Sequence, residues 1–182
     1  MQTYIAILRG INVSGHKLIK MDALRKLFDS MGFKNTKTYI QSGNVVFQSK
    51  QAKPTDLEKK IAGSILKEFG FEVPVLVKEA DELEVVLKNN PFINKRKEDA
   101  TKLHVTFLSG EAEKALIDKV KEGNYASDEF IVVGKTVYLF CPNGYGNTKL
   151  SNTFFENKLK VTATTRNWKT INELLAIAAE LT

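Results

Sequence analysis

Nine consecutive residues, Arg9-Gly10-Ile11-Asn12-Val13-Ser14-Gly15-His16-Lys17, bring an arginine, an asparagine, two glycines, a histidine and a lysine together. Such a stretch between a strand and a helix suits an anion, because glycine-rich backbone can turn its N–H groups outward while the cations supply charge. Gly10 and Gly15 have the spacing of a phosphate-binding P-loop. The residues that follow are His16 and Lys17, so the lysine is displaced by one and the magnesium-binding hydroxyl is missing. A nucleoside-triphosphate site is therefore not expected, whereas a looser anion site is. The plainer alternative is a structural loop in which Gly10 and Gly15 supply turns.

Two further polar segments could join it. Gln41-Ser42-Gly43-Asn44 reads as a hairpin turn. If it lies at the same end of a sheet, Arg9, Gly10, Asn12, Gly15, Gln41, Ser42 and Asn44 form a donor-rich cluster suited to carboxylate or phosphate. Alternatively, Gln41 and Asn44 only satisfy the backbone of the turn. Late in the chain, the loop 144–151 carries Lys149, and Arg166 precedes the last helix with Thr165 or Asn167 as its N-cap. Arg166 could equally pair with a carboxylate. Catalytic constellations are poor. His16 is a lone loop histidine, His104 sits on one face of a strand without an identifiable partner, and Cys141 ends an apolar strand like a small hydrophobe. No Cys/His set has metal spacing, and no cofactor is expected.

The elements that must position these groups follow from periodicity. Residues 3–9 are β-prone. Met21, Leu24, Leu27, Phe28 and Met31 recur at helical spacing, with Gly32 as a stop. Residues 37–40 and 45–48 flank the Ser-Gly-Asn turn. Pro54 opens a helix whose inner side carries Leu57, Ile61, Ile65, Leu66 and Phe69, and residues 73–78 form a strand. The order βαββαβ is that of a ferredoxin-like fold. It places the loop after the first strand and the hairpin turn at one end. After an acidic helix and a charged connector, strand, helix and hairpin recur, followed by helices near 153–159 and 168–181. The reading is an α+β protein: a ferredoxin-like half over 1–78, an acidic helix and connector over 79–100, and a second α+β half with a C-terminal helix over 101–182. The recurrence of element order suggests an internal duplication. The first and fourth strands are apolar on both faces, so the sheets are expected to be covered on both sides, as by the other half of the chain. Tyr4, Tyr39 and Phe47 then read as packing residues rather than an open base-stacking face.

Composition sets the outer bounds. With 182 residues and 43% hydrophobic content the chain can bury a core. One cysteine excludes an intrachain disulfide and fits a reducing, cytoplasmic setting. The first apolar run is cut at Arg9, too short for a signal peptide or a membrane span, and no membrane partner is expected. Net charge is +6, yet the segment from Arg9 to Lys53 alone, with nine basic and two acidic residues, carries +7. Such a field attracts phosphate metabolites or nucleic acid, although a solvated lysine surface gives the same count.

The segments Tyr4 to Val13, Lys20-Met21, Tyr39 to Phe47 and Thr164 to Thr170 together resemble the bacterial domain-of-unknown-function family 1697, across essentially the whole chain. The resemblance implies a cytosolic two-part α+β protein of ferredoxin-like topology and carries over no catalytic residue. The family usually has glycine where this chain has Ser14. Three readings of function follow: a module binding an anionic small molecule or nucleic acid, an enzyme acting on a small phosphorylated substrate through His16 or Lys17 with Arg9 or Arg166 stabilising charge, and a protein-interaction module.

Overall fold

The computed structural model describes residues 1–181. The chain divides into two compact units, Met1–Val85 with the residues from Glu173 onward, and Val86–Asn172. The first holds β1 (Gln2–Leu8), α1 (Met21–Ser30), β2 (Lys34–Tyr39), β3 (Asn44–Ser49), α2 (Pro54–Phe69) and β4 (Val75–Glu79), and α3 (Ala80–Lys88) crosses the division. Its antiparallel sheet runs β2-β3-β1-β4. The second unit follows with α4 (Pro91–Asn94), β5 (Leu103–Leu108), α5 (Lys114–Lys121), β6 (Glu129–Val133), β7 (Thr136–Phe140), α6 (Asn152–Leu159) and β8 (Ala163–Asn167), in the strand order β6-β7-β5-β8. The last helix, α7 (Trp168–Glu180), begins in the second unit and ends in the first. Both halves are therefore ferredoxin-like, with the same order of elements and of strands.

In the first unit, Tyr4, Ala6 and Leu8 of β1 join Val45 and Phe47 of β3 beneath Leu24 and Phe28 of α1 and Leu57, Ile61 and Ile65 of α2. The aromatic centre is Phe47, whose ring lies 4.5 Å from Phe33, 5.3 Å from Phe28 and 5.7 Å from Tyr4. The Tyr4 hydroxyl bonds both the carbonyl and the N–H of Ala52. Tyr4 and Phe47 are thus core residues, as their alternation requires. The opposite face of the sheet is also closed: Ile5, Ile7 and Val46 are fully buried. Helix α2 starts on Pro54 and stops at Gly70, whose φ of 80° ends it in the left-handed region. The end of α7 is tied to the same unit by an ion pair from Lys37 to Glu180 and a bond from Gln48 Nε2 to the Leu181 carbonyl.

The second unit adds a strand to the expected elements. The segment Ala163–Asn167 forms the edge strand β8, not a loop. Ala-Thr-Thr-Arg-Asn offers no apolar alternation, so strand periodicity is silent there. Hydroxyls hold it instead: the Thr106 and Thr165 hydroxyls meet at 2.6 Å, and Thr165 donates onward to Asn152 Oδ1. Thr165 is therefore a strand residue, while Asn167 does cap α7 by accepting from the Thr170 N–H. The charged connector contains a short helix and is held by its side chains. Asn90 caps α4, and Arg96 forms a two-pronged pair with Glu129 while lying over the rings of Phe92 and Phe140.

Candidate functional site

The loop between β1 and α1 and the turn between β2 and β3 meet, as the topology requires. Leu8 donates its N–H to the Gly43 carbonyl on one side of β1, and Arg9 donates to the Pro74 carbonyl on the other. Asn12 fastens the two segments. Its Nδ2 donates to the carbonyls of Ile19 (2.9 Å) and Gln41 (2.8 Å), and its Oδ1 accepts from the Ile19 N–H. Within this clasp the chain makes a tight hairpin, Val13 to His16, closed by the His16 N–H on the Val13 carbonyl. Its central residues, Ser14 (φ 50°) and Gly15 (φ 76°), are both left-handed, the geometry of a type I′ turn. Glycine would adopt that conformation at position 14 more readily than Ser14 does.

Several expected site residues thus build the loop. Asn44 is fully buried and donates to the Tyr39 carbonyl and to Ser42 Oγ. Gln41 is exposed and contributes its carbonyl to the clasp, Gly10 turns the chain with φ 74°, and Arg9 is half-buried at the end of β1. Displayed to solvent are His16, Lys17 and Lys20, the Lys17 ammonium resting on the Glu72 carbonyl at 2.6 Å. Three aliphatic side chains on the same two segments are exposed as well: Val13 (57%), Leu18 (65%) and Ile40 (48%). Ile40 holds φ 50°, and Asn12, Ser14 and Lys17 are also left-handed. For a β-branched residue this conformation is strained, and such strain persists only where surrounding bonds over-determine it. Sequence reasoning missed this apolar display, because exposure of Ile40 depends on the backbone reversal and not on residue type.

Lys149 and Arg166 lie in the second unit. Lys149 is exposed and borders a cleft of about 140 Å³ with Asp128, Asn143 and Asn147. Arg166 is on β8 opposite Val105, half-buried, with Nη1 donating to the Thr165 carbonyl. Burial lowers its pKa to about 10, against the opposing influence of Tyr145. Tyr145 also stacks on His104, centroids 4.8 Å apart at 24°. The His104 Nδ1 is buried without a hydrogen-bond partner among the described residues. Burial pushes its pKa below the ordinary 6.5, with the Lys102 backbone opposing. Cys141 is buried, and desolvation lifts its thiol to about 11, so it is no nucleophile at neutral pH. Among the described residues no group of His, Cys, Asp or Glu could hold a metal ion, and no helix is long and apolar enough to cross a membrane.

The histidine gives a pH prediction. An unfolded His104 takes up its proton at a higher pH than the folded one, so stability is present above pH 6.5 and declines as the pH falls through the window below it. Urea midpoints at about pH 7.5 and 5.5 should differ more for the native chain than for His104→Asn. An identical pH dependence in the variant would show that the buried imidazole plays no part.

A solved structure, a conserved bacterial protein from Streptococcus pneumoniae, is similar to this chain with a TM-score of 0.73 at 22% sequence identity, covering 97% of this chain and 98% of the other. At that identity the likeness concerns the fold. No curated protein matches. Residues 1–138, containing the clasped loop and turn, match the family described as proteins of unknown function, DUF1697, and the chain belongs to that family.

Proposed function

We propose that the protein is a non-catalytic, cytoplasmic module that binds an anionic ligand at the β1–α1 end of its first unit. The observation that carries this reading is the clasp itself: a short hairpin, fixed by Asn12, that exposes His16, Lys17 and Lys20 beside Arg9. A loop held in place before binding loses little ordering entropy when a ligand arrives. The charge of +7 between Arg9 and Lys53 lies wholly within this unit, and Lys26, Lys34, Lys50 and Lys53 are exposed too. Charge spread over an exposed surface suits a phosphate polymer better than a small metabolite. The enzyme reading is weaker, since the loop's His16 stands exposed and Asn12 and Asn44 are engaged with backbone.

Fluorescence anisotropy with a labelled DNA duplex tests the proposal. With three phosphate contacts, raising salt from about 50 to 200 mM should weaken binding about 40-fold. The double variant His16→Glu, Lys20→Glu should bind at least tenfold more weakly while melting like the native protein. Binding that ignores both salt and the substitutions would overturn the proposal. A second reading, a protein partner, is favoured by the exposed Val13, Leu18 and Ile40. If that partner is a second copy of this chain, sedimentation should show self-association that Leu18→Ser removes.

A further inference from the structure

The second unit carries a groove that none of the expected site residues touches. It lies between α5 and α6 and encloses about 390 Å³. Leu116, Lys119, Val120 and Gly123 line it from one side, at the i, i+3, i+4, i+7 spacing of a single helix face continued one step beyond α5. Phe154, Asn157 and Lys158 line it from α6 at the matching spacing.

The groove is built, not incidental. Tyr125 closes one end, its hydroxyl donating to the Val120 carbonyl at 2.6 Å and its ring meeting Phe154 edge-on at 5.5 Å. The ring occupies that place because residue 123 is glycine: a Cβ there would lie 2.2 Å from the Tyr125 oxygen. Leu116, Tyr125 and Phe154 are partly buried against the core of this unit and leave one side open. The floor is therefore apolar and partly aromatic. The rim carries two ammonium groups, Lys119 and Lys158, and two amides, Asn124 and Asn157, and no carboxylate lines it. On the neighbouring turns, Asp118 and Glu122 are exposed but outside the lining, and Glu156 is occupied by the Ala163 N–H.

A concave site of this size with an apolar floor and a few polar groups at its edge has the form of a small-molecule pocket, and the charge of the rim sets the class of ligand. We propose that this groove binds a small organic anion with a flat apolar body, an aryl or fused-ring carboxylate, its ring on Tyr125 and Phe154 and its carboxylate between Lys119 and Lys158. Ring contact supplies most of the affinity, and the two lysines select the anion over a neutral or cationic analogue. This inference is independent of the first unit's loop.

The test uses 1-naphthoate, with 1-naphthamide as the uncharged control, titrated into isotopically labelled full-length protein. Saturable amide shifts should fall at residues 116–125 and 154–158, and the amide control should bind several-fold more weakly. Lys119→Gln and Lys158→Gln are exposed-site changes that leave the fold intact. Each should weaken naphthoate by about three- to fivefold, the screened attraction of one nearby charge. Asn157→Phe, which fills the groove from its exposed edge, should abolish the shifts. The proposal fails if naphthoate shifts other residues only, if the uncharged control binds as tightly, or if the lysine and groove-filling variants bind like the native chain.

Discussion

Phe47→Ala is expected to cost about 4 kcal/mol of stability, the upper part of the range for truncating a buried aromatic. Phe47 is fully buried and is the one ring that contacts Tyr4, Phe28 and Phe33 together. Its removal takes away the transfer free energy of a benzyl group and opens a cavity bounded by β1 and α1. Those elements cannot collapse into it, because β1 is paired on both sides, to β3 and to β4. In a chain of this length 1 kcal/mol moves the melting temperature by about 2–4 °C, so a fall of roughly 8–16 °C is expected in calorimetry. A fall below about 4 °C would mean that the neighbouring rings repack and that the aromatic cluster is not the keystone of this unit.

Gly43→Ala should cost about 3 kcal/mol and should act on the site as well as on the fold. A Cβ at residue 43 would lie 2.7 Å from Ile11 Cδ1 and 2.8 Å from Leu8 Cβ, and its φ is 87°. The left-handed conformation costs a non-glycine residue about 1–2 kcal/mol, and overpacking adds about 1–3. Ile11 can swing aside; Leu8 Cβ, fixed to the strand backbone, cannot. The turn must then move away from the loop, stretching the bond from Leu8 to the Gly43 carbonyl and the Asn12 clasp on Gln41. The expected result is a lowered urea midpoint together with faster amide exchange at Leu8 and Ile19. Destabilisation without any change in exchange at those two amides would show that turn and loop are not mechanically linked.

The meeting of these two segments was legible from element order alone, since a βαββαβ unit returns its third strand beside the first. What the asparagines do there was not. A donor-rich side chain in a polar loop can face a ligand or its own backbone, and the choice rests on where carbonyls such as those of Ile19, Tyr39 and Gln41 fall in space. Strand β8 was hidden for a related reason. Its stability rests on a ladder to β5 and on threonine hydroxyls, neither of which leaves an apolar period. The groove over α5 and α6 was written in the sequence as paired i, i+3, i+4 positions, but the glycine that admits Tyr125 becomes meaningful only once the ring is placed.

The position of β1 also bears on how the chain is made. Among the described strands β1 is made first and is apolar on both faces, with Tyr4, Ile5, Ala6 and Ile7 all fully buried once folded. Its hydrogen-bonding partners arrive late, β3 at Asn44–Ser49 and β4 at Val75–Glu79. At elongation rates of about 5–20 residues per second, roughly 4–14 s separate the synthesis of β1 from that of β4. Both edges of this short apolar strand stay open until β3 is made and one edge until β4 is made, the kind of segment that recruits chaperones or mispairs with a neighbouring copy. Slower translation before residue 79 should therefore lower the soluble yield of this protein more than slower translation after it.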